Sequence, residues 1–251
     1  MVSVQAIYNK LRDLANKDQK GFITPAVFNN FAGLAQMNIY NESFIEIAAA
    51  QRLQRQGGDP GRDKSMRKQA LENLSPFVTE AGIETGSTSN IFFKPQNLSK
   101  IISISVGASR STIEWNSDDE IYNSREVEIV YDVEKIDRIL TSNLSTPTEQ
   151  FPVALISEDI EIFPTSINNI RLTYYRRPGS VDFNGESNDS QPTYNQLFMN
   201  GVGMFNPQNS LNFMLPSHSE SELVMEMAKL IGVRLRDANL TVFASQEEAS
   251  E

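Results

Sequence analysis

Residues 24–39 read TPAVFNNFAGLAQMNI and contain the clearest helical pattern in this chain of 251 residues. Thr24 is a favourable N-cap and Pro25 suits the first helical position, so this pair predicts a helix start. Apolar residues then recur at intervals of three and four, and they are Val27, Phe28, Phe31, Leu34, Ala35 and Ile39. Because this spacing puts the side chains on one stripe, we expect a helix that packs against a core.

Further helical segments are predicted on both sides of this stretch. Upstream, residues 4–15 carry apolar side chains at helical spacing, and the pattern ends near Gly21. Downstream, a separate helix is expected to begin at Asn41 or Ser43 and to end before the sequence GGDPG at 57–61. A short, mostly polar and basic segment follows at 63–74. These segments make up a predicted helical part over residues 1–75.

The spacing of apolar residues changes from about residue 76 onwards. Short segments rich in Ile, Val and aromatic residues alternate with Ser, Asn, Asp and Pro, which predicts strands. These segments are 100–106, 112–115, 126–133, 151–156, 160–163 and 169–175. A short crossover helix is expected at 134–143. We therefore predict a β-rich insertion over residues 76–215, with a long loop at about 178–210.

A closing helix is predicted in residues 216–251. Glu220 stands three residues after Ser217, as in a capping box, and apolar residues at helical spacing follow from Leu223 to Ile231. The last residues, 245–251, are predicted to be a polar tail. Helices at the two ends of a chain commonly pack together, so the predicted fold class is α+β. We expect the N-terminal helices and the C-terminal helix to pack as a helical bundle, with the β-rich insertion between them.

The composition excludes several kinds of chemistry. The chain has no Cys and one His, which removes disulfides, thiolate sites and metal sites built from several histidines. Its formal net charge of -10 opposes general adhesion to nucleic acid, because phosphate contacts require Lys and Arg. No run of about 18 apolar residues occurs, and the N-terminus lacks the pattern of a signal peptide. We therefore expect no membrane partner and a cytoplasm-like compartment.

Two segments resemble nucleotide-binding or catalytic motifs but are better explained otherwise. Residues 58–65, GDPGRDKS, end like a phosphate-binding loop, yet Asp63 replaces the glycine that such a loop needs. His218 lies between Ser217 and Ser219, where a role at the helix start is favoured over activation of a nucleophile. The sequence thus predicts no catalytic residue, no cofactor and no metal site, and we expect that the protein is not an enzyme.

Acidic residues cluster at 118–137 and at 158–161. Paired carboxylates carry out glycoside hydrolysis and also bind Mg²⁺ or Ca²⁺, but both functions require an organised pocket. A solvated acidic face is the favoured interpretation. A glycan hydrolase that uses paired carboxylates remains one alternative function.

The basic residues of the chain are densest in the stretch from 52 to 68. They are Arg52, Arg55, Arg62, Lys64, Arg67 and Lys68. The stretch contains no interleaved aromatic residues, so base stacking is not indicated, and a DNA-binding module is the second alternative function. Attraction between this basic stretch and acidic residues of a neighbouring copy, and an ordinary surface of mixed charge, are equally open interpretations.

Three segments carry a resemblance to a known group of proteins. They are VSVQAIYNKLRDLANKDQKGFITPAVFNNFAGLAQMNIYNE at 2–42, STPTEQFPVALISEDIEIFPTSINNIRLTYYRRP at 145–178 and LPSHSESELVMEMAKLIGVRLRD at 215–237. Together they resemble the ring or connector (head–tail adaptor, neck) virion proteins of crAss-like tailed phages, which are podoviruses. The large β-rich insertion departs from the simplest connector pattern, a small helical bundle with one modest loop.

The resemblance implies a structural role without a reaction. A protein of this group forms an oligomeric ring in the phage neck or tail, connects the portal to the tail and surrounds the DNA channel. The implied partners are further copies of itself, commonly twelve, the portal protein, adjacent tail or ring proteins, and genomic DNA that passes through the channel. The implied location is the virion, which is assembled in the cytoplasm of the bacterial host.

Subunit contacts are the only candidate sites that we predict. Exposed apolar groups on an acidic monomer require a partner to cover them. We therefore expect the apolar residues of the long loop and the basic stretch to lie at contacts between subunits. The loop residues are Phe198, Met199, Met204 and Phe205.

Overall fold

The computed structural model describes residues 1–17, 23–55, 60–85, 90–106, 125–179, 191–199 and 202–234. Within these ranges helices lie at both ends of the chain and β-sheets lie between them in sequence, which confirms the predicted α+β class. The chain divides into a helical unit, Met1–Phe77 with Pro178–Glu251, and a β-rich unit, Val78–Arg177. This division differs from the sequence-based one, which placed residues 178–215 in the insertion.

The helical unit begins with three helices. They are α1 (Val4–Lys17), α2 (Pro25–Arg55) and α3 (Pro60–Leu74), and a short 3-10 turn at Ser75–Phe77 follows. The prediction of two separate helices between residues 24 and 55 was wrong, because α2 runs through without a break over 31 residues. Ser43 does not start a new helix. Its hydroxyl donates back to the carbonyl oxygen of Ile39 at 3.0 Å, a bond that an uninterrupted helix accommodates.

The C-terminal helix, α5 (Glu220–Arg234), contacts both α1 and α2. Its buried residues Leu223, Met227 and Ile231 recur at helical spacing and face the N-terminal helices. Polar contacts join the same helices, since Lys10 Nζ lies 2.9 Å from Glu220 Oε1 and Asn38 Nδ2 lies 2.6 Å from Glu226 Oε1. The helical part predicted at both ends of the chain therefore packs together.

The short 3-10 turn before α5, Ser217–Ser219, is tied to α3 by the buried side chain of Asn73. Asn73 Oδ1 accepts a hydrogen bond from Ser219 Oγ at 3.1 Å and lies 2.6 Å from His218 Nε2. His218 thus contacts an amide in α3. This geometry gives His218 and Ser219 a structural role at the start of α5.

The β-rich unit contains two four-stranded sheets. The first has the order β1-β8-β3-β4, and its strands are β1 (Val78–Glu84), β3 (Leu98–Val106), β4 (Arg125–Glu126) and β8 (Asn169–Arg176). The second has the order β2-β7-β6-β5, and its strands are β2 (Ile91–Phe92), β5 (Glu128–Val130), β6 (Val153–Ile156) and β7 (Ile160–Phe163). Helix α4 (Val133–Thr141) connects β5 to β6, which pair in parallel. A crossover helix between parallel strands is the usual way to make this connection.

The buried faces of the two sheets share one hydrophobic core. Ile104 and Leu172 of the first sheet belong to the same buried cluster as Ile160 and Ile162 of the second. Tyr174 is also buried there, and its hydroxyl donates to Asn97 Oδ1 at 2.8 Å. Each sheet covers the inner face of the other, which explains why apolar residues alternate along these strands.

Most of the predicted strands are present, with different boundaries. The prediction at 126–133 was wrong in extent, because the strand is divided into β4 and β5 and Val133 already begins α4. The side chain of Asp132 ends the extended backbone, since its Oδ1 accepts from the amide of Glu134 at 3.0 Å and caps the helix. The predicted strand at 112–115 lies outside the described residues.

Candidate functional site

A β-hairpin lies where the sequence predicts a long loop. Its strands are β9 (Gln196–Met199) and β10 (Val202–Phe205), which pair antiparallel. The register places Leu197 opposite Met204 and Phe198 opposite Gly203. Directly opposed residues share a face of the hairpin, so positions 197, 199, 202 and 204 lie on one face and positions 196, 198, 203 and 205 on the other.

The hairpin exposes an unusual amount of apolar surface. The exposed fractions are 52% for Leu197, 71% for Phe198, 63% for Val202 and 55% for Met204. An antiparallel sheet ordinarily packs one face on a core and leaves a polar face in water. Both faces of this hairpin carry exposed apolar residues, which is the pattern of a surface that binds another molecule.

The hairpin also lies in a segment without charges. No Asp, Glu, Lys or Arg occurs from Ser190 to Ser217, although charged residues make up 22% of the chain. Transfer of a charged group out of water is costly unless it is paired. Because this segment has no such group, its association with a protein surface carries no penalty for the desolvation of charge.

The base of the hairpin is held on the helical unit by stacked aromatic rings. The ring of Tyr194 lies between those of Tyr8 and Phe205, with centroid distances of 4.0 Å and 5.3 Å. The backbone of Tyr194 forms two hydrogen bonds with the side-chain amide of Asn29 in α2, at 3.0 Å and 2.7 Å. These contacts explain why this segment belongs to the helical unit and orient the hairpin on α1 and α2.

Tyr8 keeps its phenol protonated at the centre of this arrangement. Its hydroxyl donates to the carbonyl oxygen of Ile23 at 2.9 Å. Burial raises the pKa of Tyr8, Tyr194 raises it further, and Arg12 offsets part of the increase. The donor therefore persists through the physiological range of pH.

Gly203 keeps room for the side chains that cross the second face of the hairpin. A Cβ atom at this position would lie 2.8 Å from Gln196 Oε1 and 3.4 Å from Phe198 Cε1. The Phe198 ring therefore lies close over the glycine backbone, a packing that covers an exposed glycine in a sheet. The ring remains mostly exposed and available to a partner.

The structure brings the four predicted loop residues into this hairpin. Phe198 and Met204 are exposed, whereas Phe205 is half-buried and stacks on Tyr194. Position 199 lies in β9 opposite Val202. Leu197 and Val202 were not predicted, although their alternation with the predicted residues is the signal that identifies a strand.

The predicted basic residues lie on two helices of the helical unit, α2 and α3. Arg52 is exposed near the end of α2, and Arg67 and Lys68 are exposed on α3. Arg55 is the last residue of α2, and Arg62 and Lys64 lie in the first turns of α3. Helices α2 and α3 contact each other, so these residues belong to one helical pair.

Replacement of Asn29 by Ala is expected to lower the free energy of unfolding by about 1–3 kcal/mol, because both hydrogen bonds to Tyr194 are lost. Asn30→Ala is a matched control, since Asn30 is the exposed neighbour in the same helix and should change stability by less than about 0.5 kcal/mol. Urea denaturation followed by circular dichroism measures both. Equal effects of the two substitutions would contradict the anchoring role of Asn29.

Metal-binding sites, acidic clusters and membrane-spanning helices are the other candidate features in the described part of the chain. Within the described ranges, no group of three acidic or histidine side chains is arranged to hold a metal ion. Glu158 is exposed, and Asp159 and Glu161 are partly exposed in the second sheet region. The acidic residues at 118–120 lie outside the described part of the chain. None of the helices in the described part is long and apolar enough to cross a membrane.

Comparison of the sequence with models of known protein families gave no match, and a search of curated proteins found no significant similarity.

Proposed function

We propose that this chain is a structural protein of a phage virion, which assembles through its hairpin into an oligomeric ring in the neck or tail. The observation that carries the proposal is the exposed, charge-free hairpin anchored on the helical unit. In the virion the ring connects the portal to the tail and surrounds the DNA channel, as in the phage proteins that the sequence resembles. No reaction is assigned to it.

The energetics of the hairpin support self-association. Full burial of a large apolar side chain contributes about 1.5–3 kcal/mol, and the four exposed hairpin residues keep between 52% and 71% of their surface exposed. Covering the remainder contributes roughly 1 kcal/mol for each residue. A few such residues at the centre of an interface are enough to dominate its stability.

A ring also requires contacts that are not self-complementary. A head-to-tail contact joins two different surfaces of neighbouring copies, and it closes into a ring when the rotation between copies allows it. A protruding hairpin on one copy suits such a contact better than a flat patch, because the surface that receives it must differ in shape. The copy number proposed from the resemblance is twelve, matched to a portal of the same symmetry.

The net charge is compatible with a channel for DNA. A formal charge of -10 gives the protein little general affinity for phosphates, and passing DNA experiences weak adhesion to an acidic wall. This weak adhesion supports a channel function and disfavours the alternative in which the basic stretch is a DNA-binding module.

The proposal is tested by mass photometry and electron microscopy of the purified protein, alone and mixed with the portal ring of the same genome. The wild-type chain is expected to form rings in at least one of these samples. The hairpin variant Leu197→Ser, Phe198→Ser, Val202→Thr and Met204→Ser is expected to weaken assembly at least tenfold, because it removes the apolar contact surface.

A matched control is Ile45→Ser with Leu144→Ser, which replaces exposed apolar residues elsewhere on the chain. This control should assemble like the wild type. Assembly of the hairpin variant at wild-type concentrations would refute the role of the hairpin. If the wild-type protein stays monomeric with and without the portal ring, the ring function itself is wrong.

A further inference from the structure

One face of the second sheet is only half covered by its helix. Helix α4 packs on β5 and β6 through a buried cluster that contains Ile136, Val130, Val153 and Leu155. Strands β7 and β2 continue the same sheet beyond β6. Phe163 of β7 is partly buried against the same cluster, and the rest of the face formed by β7 and β2 lies beside the helix.

The side of α4 that faces β7 can be identified from an ion pair. Lys135 Nζ lies 2.8 Å from Glu128 Oε1, and Glu128 belongs to β5, the strand at the edge of the sheet. The flank of α4 with Lys135 therefore lies over the edge. The opposite flank carries Val133, Asp137 and Leu140 at helical spacing, and all three are exposed.

Within the described residues, the half of the sheet beside α4 has a floor of apolar residues with one carboxylate among them. Phe163 and Glu161 pair with Val153 and Leu155, so they share the face that α4 covers. Ile91 is exposed and pairs with Glu161, and Phe93, two residues further on, is 70% exposed. Two strands span roughly 10 Å, which is about the diameter of a helix. We call this surface the α4 groove, bounded by Val133 and Leu140 and floored by Ile91, Glu161, Phe93 and Phe163.

The rim of the α4 groove is acidic. Asp137 lies on the helix side, and Glu158 and Asp159 lie in the turn before β7. Lys94, near the same turn, donates to the carbonyl oxygen of Ser157. The cations of α4 are engaged on its other sides, since Lys135 pairs with Glu128 and Arg138 with Glu134. A ligand that suits this surface is therefore a helix with an apolar residue surrounded by positive charges.

Helix α3 has such a face. Leu71 is exposed, and Arg67 and Lys68, also exposed, stand four and three residues before it on the same side of the helix. Lys68 pairs with Glu72 at 3.6 Å, an exposed contact that competes weakly with a better partner.

We infer that helix α3 of one copy binds the α4 groove of the next copy. Leu71 enters the α4 groove beside its apolar residues, and Arg67 and Lys68 pair with the acidic rim of Asp137 and Glu158. The inference rests on the proposed ring, because it names the second contact surface of the same assembly. The contact is head-to-tail, since the two surfaces differ, and it therefore propagates around a ring. Charge complementarity sets the partner and makes the association sensitive to salt.

The test uses two charge-reversed proteins and their mixture. One carries Arg67→Glu and Lys68→Glu on α3, and the other carries Asp137→Lys and Glu158→Lys on the groove rim. Each protein alone is expected to assemble at least tenfold more weakly than the wild type, alone or on the portal ring, because like charges then face each other. A one-to-one mixture is expected to form mixed pairs with nearly wild-type affinity, since the reversed helix fits the reversed rim.

The control reverses a cation elsewhere, Lys100→Glu in β3, and should assemble like the wild type. Recovery on mixing also excludes misfolding as the cause of the loss, because two misfolded proteins do not restore each other.

Normal assembly of both reversed proteins, or no recovery in the mixture, would overturn the inference. If the hairpin variant fails to assemble while the reversed proteins assemble normally, the ring stands and the α4 groove is not its contact. If the reversed proteins form rings but no longer bind the portal ring, the α4 groove binds the portal protein, and the inference is again wrong.

Discussion

Phe28→Ala is expected to lower the free energy of unfolding by about 3–5 kcal/mol, which is among the largest effects of a single substitution in this protein. Phe28 is fully buried in α2. Its ring makes edge-to-face contacts with Tyr8, Tyr194 and Phe213 at centroid distances of 5.4, 6.1 and 6.4 Å. Alanine would leave a cavity at the point where α1, α2 and the base of the hairpin meet.

A substitution that removes a phenyl ring from an exposed position serves as a control. Phe198→Ala also deletes a phenyl ring, but 71% of that side chain is exposed, so the loss of stability should be below about 1 kcal/mol. Urea denaturation of the two variants measures the difference. Phe198→Ala should instead weaken assembly, which mass photometry detects. If the two substitutions had the same effect on stability, the aromatic cluster around Phe28 would not be a core.

Ile104→Ala is expected to destabilise the β-rich unit by about 2–5 kcal/mol. Ile104 lies in the central strand β3 and is fully buried in the core that the two sheets share. Its cross-strand partner is Leu172 of β8, which is also fully buried. The substitution removes apolar contacts from both sheets at once, and a tightly packed core fills the resulting cavity only in part.

Ile102→Ala makes the identical chemical change two residues away in the same strand. Ile102 is 42% exposed, and a register irregularity lies between Ile101 and Ser103. We expect this variant to lose about 1 kcal/mol or less. Thermal and urea unfolding of the pair give the comparison. An equal loss at both positions would contradict the register of β3 and the bulge next to Ile102.

The local signals in the sequence predicted the helices well. Thr24 caps α2 as expected, since its hydroxyl accepts from the amide of Val27 at 3.3 Å and its carbonyl oxygen accepts from the amide of Phe28 at 3.0 Å. The continuation of α2 past Ser43 was missed because Asn and Ser are also compatible with a helix start. Packing against α3 and α5 overrides that local preference.

The candidate site was predicted in part. The exposed Phe198 and Met204 were singled out for their apolar character in a polar stretch. Phe205 has the same chemistry but stacks on Tyr194, because it lies at the base of the hairpin, whereas Phe198 lies on the same face further from that base. The α4 groove was not predicted, because it combines residues near 91, 135 and 160 that are far apart in the sequence. Strand pairing and the packing of α4 on the sheet bring them together.

Composition and short-range spacing were sufficient for the α+β class, the helix start at Thr24 and the absence of cysteine chemistry, because each depends on residues a few positions apart or on simple counts. They were insufficient to distinguish Ile102 from Ile104, or Phe198 from Phe205, since each pair has the same residue type and similar neighbours. Their burial depends on pairing with strands far away in the chain and on contacts with other elements. Long-range packing, and with it the identity of the surfaces left open for partners, therefore required the three-dimensional structure.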